Sequence, residues 1–193
     1  MSKKLSKEIR IESILTAAVE EFLEKGYEGA SVDAIAKRAG VSKGGLYYHF
    51  TNKEVVLMEA NRKLSEPIMD VIEKTYQNES AINGLKVYVK EYLKYWVFRP
   101  RELSFFFLSM SKALESPVLM EYYKEYVKES TAFFVGMFQK AVDLGEANIS
   151  DPEAYGISLM GALDGVLSYV MVSPEIDIEI LAERFIQIWL KNN

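Results

Sequence analysis

The sequence predicts an all-α protein of about nine helices. Apolar residues recur three and four positions apart along most of the chain, which is the spacing of one face of an α-helix. Glycine and proline interrupt this pattern and mark the expected helix ends. No sustained alternation of apolar and polar residues indicates a sheet, and no repeat of fixed period is present. At 193 residues, the chain is long enough for one large or two small domains.

The first predicted helix extends from about Lys7 to Glu24 and ends before Gly26, because glycine commonly follows a helix. Five apolar residues fall on one face of it: Ile11, Ile14, Leu15, Ala18 and Phe22. A basic arm lies at its N-terminal end, formed by Lys3, Lys4, Lys7 and Arg10. This arm either attracts phosphate groups or is a frayed, solvated terminus.

Two short helices joined by a tight turn are predicted between Ser31 and Phe50. Ser31 is placed to cap the first helix, and Gly40 to end it, since glycine tolerates the positive φ common at that position. Ser42 is placed to cap the second helix, which carries Leu46 inward. Two helices joined by a three- to four-residue turn containing glycine form a helix-turn-helix, whose second helix enters the major groove of DNA.

The second of these helices presents an unusual outer surface. Gly44 and Gly45 weaken a short helix but permit its backbone to approach another surface closely. The polar side chains between residues 42 and 50 are donors suited to phosphate oxygens, whereas Arg, Asn and Gln, the usual readers of bases, are absent there. We therefore expect specificity to depend on Lys43, the glycine backbone and DNA shape. The alternative is a glycine-rich loop between core helices, with His49 and the tyrosines half-buried.

These residues resemble the N-terminal DNA-binding domain of TetR-type transcriptional regulators. The resemblance covers about the first third of the chain and includes Gly26-Tyr27, residues 39–44, Leu46-Tyr47 and Lys53-Glu54. The run SKGGLYYHF is especially similar to members that repress multidrug-resistance genes. The resemblance implies that DNA, mostly its phosphates, is contacted by Ser31, Ser42, Lys43, Gly44, Tyr47, Tyr48, His49 and Lys53. Gly45 stands where Thr, Ser or Asn is commoner in the family, so only its backbone is expected to contact DNA.

Six further helices are predicted beyond residue 50. Helix 4 begins near Lys53 after a capping box of Thr51 and Glu54, and it continues toward Tyr76 with a bend or break at Pro67. The remaining five are expected at about residues 81–98, 102–114, 117–144, 152–172 and 177–191. The predicted organisation is a helix-turn-helix DNA-binding domain at residues 1–52 and a helical effector-binding and dimerisation domain at residues 53–193.

Aromatic and methionine side chains are concentrated on the predicted inward faces of helices 5 to 8. Such stripes are usually core packing, but an apolar cavity with a few polar groups is the usual form of a small-molecule site. The resemblance implies an effector here, which we expect to be apolar or aromatic. The candidate effector-binding residues are Tyr88, Tyr92, Trp96, Phe106, Met110, Tyr123, Tyr126, Phe134, Met137, Met160 and Asp164. Asp164 or Glu91 would meet a cation if either lined the cavity, whereas the alternative for Asp164 is a hydrogen-bonded acid at a helix interface.

Helices 8 and 9 are apolar on nearly all sides. Small residues such as Gly156, Gly161 and Gly165 permit close approach of a neighbouring helix. Apolar helices of this kind must be covered, either inside one chain or by a second copy. The resemblance implies a symmetric four-helix interface in a homodimer. The function that it implies is a DNA-binding transcriptional regulator, a repressor released from operator DNA by a small effector.

Composition argues against an enzyme and against a metal or cofactor site. The chain has no cysteine, which excludes disulfides and thiolate ligands, and its single histidine leaves little for zinc. Residues 40–45 have the glycine spacing of a phosphate-binding loop, but Leu46 occupies the position of the required lysine. The remaining alternatives are a carboxylate-only active site and a helical protein that binds a small molecule or partner without binding DNA.

The charge of the chain is divided unevenly. Residues 1–63 contain 11 Lys and Arg against 9 Asp and Glu, a net charge of +2, whereas residues 64–193 contain 12 against 19, a net charge of −7. This asymmetry favours a nucleic-acid-binding N-terminal end. No apolar segment follows the basic residues 1–10, and the longest apolar run, Ile157 to Val172, contains Asp164 and is shorter than the ~20 residues of a membrane span. We therefore expect a cytoplasmic protein.

Overall fold

A computed structural model describes residues 6–173, 175 and 177–190. Within these residues the chain forms nine α-helices, one 3-10 turn at Ala113–Glu115 and no strand, which confirms the predicted all-α class. The helices are α1 (Lys7–Gly29), α2 (Val32–Arg38), α3 (Lys43–Tyr47), α4 (Lys53–Tyr76), α5 (Ala81–Val97), α6 (Pro100–Lys112), α7 (Pro117–Asp143), α8 (Pro152–Val172) and α9 (Ile178–Leu190). Lys3 and Lys4 of the predicted basic arm, and the predicted end of the last helix at Lys191, lie outside the described residues.

Two helices, α4 and α6, differ in detail from the prediction. The cap of α4 is Asn52 instead of Thr51, because the Val55 amide donates to Asn52 Oδ1 at 2.8 Å. Pro67 does not break α4, which continues to Tyr76, since proline removes only one of the many hydrogen bonds of a 24-residue helix. Helix α6 begins at Pro100, a favourable first helical position. The backbone of α1 leaves helical geometry at Gly26, where φ is +68° and ψ is 176°, which agrees with the predicted end before this glycine, and helical residues then resume up to Gly29.

The described chain divides into two compact units. The first contains the residues up to Ser65 together with Ser104–Tyr123, and the second contains Glu66–Leu103 together with the residues from Lys124 onward. Helices α4, α6 and α7 each contribute residues to both units. The predicted domain boundary between residues 52 and 53 stays a prediction.

The core of the first unit forms around α1, α2 and α3. Ile14, Phe22, Ile35 and Leu46 are almost completely buried, and the ring of Phe22 stacks on that of Phe105 with centroids 5.7 Å apart. A network of ion pairs fixes α2 to α1, because the Arg38 guanidinium lies 3.1, 3.1 and 2.6 Å from the carboxyl oxygens of three α1 residues: Glu20, Glu21 and Glu24. This packing holds the short helix α2 in a defined position beneath the turn that leads to α3.

A buried polar cluster lies elsewhere in the first unit. The Asn61 side-chain amide donates to Ser109 Oγ and to the Tyr123 hydroxyl, the latter at 3.2 Å, and Ser109 in turn donates to the Phe106 carbonyl at 2.9 Å. All three side chains are at most 4% exposed. The cluster therefore joins α4, α6 and α7 by hydrogen bonds whose loss would leave buried polar atoms unsatisfied.

The second unit has its own core, built from α5, α7, α8 and α9. Leu93, Met137 and Phe138 are completely buried there. Gly156 lets α8 approach α7 closely, because a Cβ atom at this position would lie 2.8 Å from the backbone of Val135. Gly161 and Gly165 of the same helix differ from Gly156, because a Cβ atom at either position would meet no atom of the described residues within 4 Å.

Parts of α8 and α9 remain exposed. Tyr169 and Val172 on α8 and Ile188 on α9 are each more than two thirds exposed. Among the described helices, α8 is long and apolar enough to cross a membrane by length and composition. It has 21 residues, Pro152–Val172, and so extends beyond the apolar run Ile157 to Val172 that was judged too short for a membrane span. One such helix is weak evidence for a membrane span, since core helices of globular proteins pass the same test.

Candidate functional site

The turn and helix α3 form the first candidate site. Gly40 adopts φ of +69°, which lets the chain leave α2 and reverse direction. Ser42 caps α3, with its Oγ accepting from the Gly45 amide at 3.0 Å. Leu46 is fully buried and anchors α3 to the core of the first unit, so the opposite side of the helix faces solvent.

The structure exposes most of the predicted DNA-binding side chains. Tyr47 is 44% and Tyr48 is 80% exposed, so the alternative of a packed loop with half-buried tyrosines does not hold. Four further predicted residues are exposed: Ser31, Ser42, Lys43 and Gly44. The remaining three are half-buried: Gly45, His49 and Lys53. Hydroxyl and ammonium donors are therefore accessible on Ser31, Ser42, Lys43, Tyr47 and Tyr48. We call the surface that these residues form with Gly44 the α3 surface.

The two glycines of α3 are not equivalent. A Cβ atom at Gly44 would meet no atom of the described residues within 4 Å, so this position is open to solvent. A Cβ atom at Gly45 would lie 3.2 Å from Ser42 Oγ, which is tighter than an ordinary contact. Close approach of another molecule to the α3 backbone is consequently possible at Gly44, whereas Gly45 also serves the packing of the N-terminal cap.

Both serine caps retain a donor for an external acceptor. Ser31 Oγ accepts from the Ala34 amide at 3.1 Å, as Ser42 Oγ does from its own helix. A hydroxyl that accepts one hydrogen bond still has its O–H group to donate. These two positions can therefore cap a helix and contact a phosphate oxygen at the same time.

Lys43 carries the positive charge of the α3 surface. Its Nζ lies 2.9 Å from Asp33 Oδ2, and the side chains of both residues are more than half exposed. The hydrogen bond from Lys43 to Asp33, together with their opposite charges, raises the pKa of the lysine. Lys43 is thus fully protonated at neutral pH, and its exposed ion pair is of the weak kind that a phosphate can replace.

Lys53 lies in a small cluster around Tyr27. Its Nζ is 4.2 Å from the centre of the Tyr27 ring, and Lys112 Nζ is 5.9 Å from the same ring while pairing with Glu28 at 2.9 Å. Burial lowers the pKa of Lys53 and raises that of Tyr27. The Tyr27 ring therefore has two lysines near it, of which Lys112 is paired with Glu28 and Glu115. No sequence pattern indicated that Lys112 would lie in this cluster.

The second candidate site is a cavity in the second unit. Its volume is about 10 Å³, which is room for about one water molecule. Six of the predicted effector-binding residues line it: Tyr88, Tyr92, Tyr126, Phe134, Met160 and Asp164. Ser130 and Leu163 also line the cavity but were not predicted, because helical periodicity separates inward from outward faces without distinguishing core contacts from cavity walls.

The other predicted effector-binding residues lie elsewhere. Trp96 and Met137 are buried in the second unit but do not line the cavity. The last three belong to the first unit: Phe106 and Tyr123, which are buried, and Met110, which is half-buried. Glu91 is exposed and does not line the cavity, so of the two acids considered for a cation only Asp164 is placed there.

The polar groups of the cavity are connected. The Tyr92 hydroxyl donates to Asp164 Oδ1 at 3.2 Å, and the Tyr88 and Tyr92 rings stack with centroids 5.4 Å apart. Burial raises the pKa of Asp164, which the hydrogen bond from Tyr92 opposes. Burial also raises the pKa of both tyrosines, with the charge of Asp164 acting in the same direction. The cavity therefore combines aromatic rings with one acid that water does not fully solvate.

Comparison with known proteins gives a family match that includes the first candidate site. Residues 14–60 match the family described as "Bacterial regulatory proteins, tetR family". IcaR of Staphylococcus epidermidis, a negative transcriptional regulator of a biofilm operon, is 28% identical over 82 residues, which are 42% of this chain and 44% of that protein. The transcriptional regulator YwcC of Bacillus subtilis is 25% identical over 184 residues, covering 89% of this chain and 81% of that protein. The chain thus matches less than half the length of IcaR.

The fold is also found among solved structures. The transcriptional regulator FadR of Bacillus subtilis, solved in complex with stearoyl-CoA, superposes with a TM-score of 0.76 at 23% identity, over 94% of this chain and 98% of that chain. This likeness establishes the same all-α fold. The segment that contains the helix-turn-helix therefore matches the tetR family, and the sequence relatives named above are transcriptional regulators. The particular similarity of the SKGGLYYHF run to multidrug repressors stays a prediction.

Proposed function

We propose that the protein is a DNA-binding transcriptional regulator, a repressor that leaves its operator when a small molecule binds in the second unit. The observation that carries this proposal is the α3 surface, where a short helix anchored by Leu46 exposes lysine, serine and tyrosine donors. This helix lies within residues 14–60, the segment that matches the tetR family. The bacterial regulators to which the chain is related support a cytoplasmic location. DNA contact through Ser31, Ser42, Lys43, Tyr47, Tyr48, His49 and Lys53, and through the backbone of Gly44 and Gly45, is part of the same proposal.

The proposed DNA contacts are chiefly with phosphates. Lys43 and the two serine caps provide donors, and Lys53 contributes positive charge at the start of α4. Phosphate contacts fix the register of a protein on the duplex without reading its sequence. Specificity then comes from close contact of the Gly44 backbone with the groove and from DNA shape.

The proposed active form is a homodimer with two-fold symmetry. The exposed apolar residues of α8 and α9, and the open faces of Gly161 and Gly165, support an interface through these two helices. A dimer would present its two α3 surfaces to successive major grooves, which requires half-sites about 34–36 Å apart or a multiple of that distance. Such an operator would be a palindrome, since its symmetry mirrors that of the dimer.

Release by an effector follows from thermodynamic linkage. A ligand that binds better to a conformation with another α3 spacing lowers DNA affinity by the same factor by which DNA lowers ligand affinity. Helix α4 is our candidate for the moving element, because it contains residues of both units and carries Pro67 within it. Isothermal titration that gives equal effector affinity with and without operator DNA would contradict this mechanism.

A gel shift at several salt concentrations tests the proposed function. DNA upstream of the protein's own coding region serves as the probe, with a fragment of unrelated sequence as the control. Binding to the upstream fragment should weaken steeply as salt increases, because phosphate contacts displace counterions. The alternative function is a helical protein that binds a small molecule or a protein partner without DNA, and it predicts no complex with either fragment.

A further inference from the structure

The cavity of the second unit contains a single charged group among the described residues that line it, the carboxyl of Asp164. No lysine or arginine of those residues faces this acid, and the hydrogen bond that it accepts comes from the Tyr92 hydroxyl. Among the described residues that line the cavity, ionised Asp164 therefore has no counter-charge. Asp164 is half-buried, and a charge that is partly removed from water without a counter-charge is costly, so this site gains most from a ligand that brings a positive charge.

The aromatic lining favours the same kind of ligand. Tyr88, Tyr92 and Tyr126 surround the cavity with Phe134, and the faces of such rings attract cations through their quadrupoles. A carboxylate or phosphate in the same place would be repelled by the ionised acid. The lining thus discriminates between ligands by charge.

We propose that the effector is an organic cation, an amine or quaternary ammonium compound with apolar substituents, whose charge is bound by Asp164 and the surrounding tyrosine rings. The inference rests on the proposed function in calling this ligand an effector, whereas the binding itself requires no DNA. It also separates this protein from Bacillus subtilis FadR, whose structure holds stearoyl-CoA, a molecule with several negative charges.

The ligand must enlarge the cavity, because the present volume of about 10 Å³ holds no more than a water molecule. Tyr126, Ser130 and Met160 are half-buried, whereas the lining residues Tyr88, Tyr92, Phe134 and Leu163 are buried. Met160 has a flexible side chain, whose sulfur lies 3.6 Å from Thr131 Oγ1. Opening is therefore assigned to the half-buried side chains of α7 and α8, which are less constrained by packing than the buried ones.

Isothermal titration of the full chain without DNA tests the proposal with three probes of similar size. These are benzyltrimethylammonium, the neutral benzyl tert-butyl ether and the anion 4-phenylbutyrate. The cation should bind at least tenfold more tightly than the neutral ether, and the anion more weakly than either. Equal or tighter binding of the ether or the anion, or no binding of the cation, would overturn the proposal.

Variants of the acid separate its charge from its shape. Asp164→Asn should lower the affinity for benzyltrimethylammonium at least tenfold and leave the ether unaffected, whereas Asp164→Glu should retain the preference for the cation. Asp70→Asn, which removes an exposed acid on α4, is the matched control and should change neither affinity. An unchanged cation preference in Asp164→Asn would refute the role of Asp164, and the comparison of probes on the native chain remains decisive if that variant does not fold.

Failure of this inference is distinguishable from failure of the proposed function. If a complex with operator DNA forms and is released by a neutral or anionic molecule but not by the cation, the protein is a regulator and the ligand class is wrong. If the cation binds in an Asp164-dependent manner but no DNA complex forms, the ligand class is right and the regulatory function is wrong.

Discussion

Lys43 is the residue on which non-specific attraction to DNA should depend most. Replacing it by alanine removes an exposed cation that lies 2.9 Å from Asp33 in the free protein. We expect Lys43→Ala to weaken binding to all DNA sequences alike and to reduce the slope of log affinity against log salt by about 1. Gel shifts with the upstream and unrelated fragments measure both effects.

The matched control for Lys43 is Lys128→Ala. Lys128 is also an exposed lysine paired with one acid, Glu125 at 3.0 Å, but it lies in the second unit. This variant should keep the native affinity and salt slope. A loss of affinity in Lys128→Ala equal to that in Lys43→Ala would show that the effect of charge is general and does not involve the α3 surface.

Asp164 should make the stability of the protein depend on pH. Burial raises its pKa above the ordinary value of 3.8, so the folded state binds a proton more tightly than the unfolded state does. The native chain therefore loses stability as pH rises from about 3.8 through the raised pKa of Asp164, where the acid ionises inside the protein. Asp164→Asn lacks this loss and can still accept the hydrogen bond of Tyr92.

Urea unfolding of both proteins between pH 4 and pH 8 measures this effect. The free energy of unfolding of Asp164→Asn, relative to the native chain, should increase with pH and level off above the pKa of Asp164. A relative stability of Asp164→Asn that falls as pH rises would show that the ionised acid is stabilised by its surroundings.

At the scale of the element, the turn from α2 to α3 depends on the backbone of Gly40. Its φ of +69° is unfavourable for any residue with a Cβ atom, although space is available there. Gly40→Ala should therefore lower the free energy of unfolding by about 1–2 kcal/mol. Thermal or urea unfolding provides the measurement.

Gly44→Ala is the informative counterpart within the same motif. Gly44 is helical and its Cβ position is open, so alanine should leave stability unchanged or raise it by up to about 1 kcal/mol. DNA affinity should nevertheless fall, because the added methyl group separates the α3 backbone from the groove. A Gly44→Ala variant that binds DNA as tightly as the native chain would contradict the close approach that we propose.

Which elements the sequence could predict depends on how local their causes are. Ser31, Ser42 and Gly40 act through their own helix ends, and the structure places them as expected. The buried cluster of Asn61 and Ser109 was not predicted, because it joins residues 48 positions apart that show no sequence pattern. The cavity was predicted only in part, because a helical face includes both core residues and cavity walls, and the sequence pattern does not separate them.

At the scale of the whole molecule, the exposed apolar residues of α8 and α9 predict self-association. Ile188 is 74% exposed, so Ile188→Glu should preserve the fold of the chain while converting a dimer to a monomer in sedimentation velocity. Leu114→Glu, at an 83% exposed position of the first unit, is the control and should remain dimeric. A native chain that sediments as a monomer would remove the two-fold arrangement from the proposed function.

The central claim is that the α3 surface lies against DNA, and site-specific photo-crosslinking tests it most directly. Tyr48 is 80% exposed and is replaced by p-benzoylphenylalanine, with the same replacement at Phe98, 71% exposed in the second unit and outside α8 and α9, as the control. Irradiation of the complex with the upstream fragment should crosslink DNA to position 48 and not to position 98. A DNA complex that crosslinks at position 98, or that forms without any crosslink at position 48, would contradict the account.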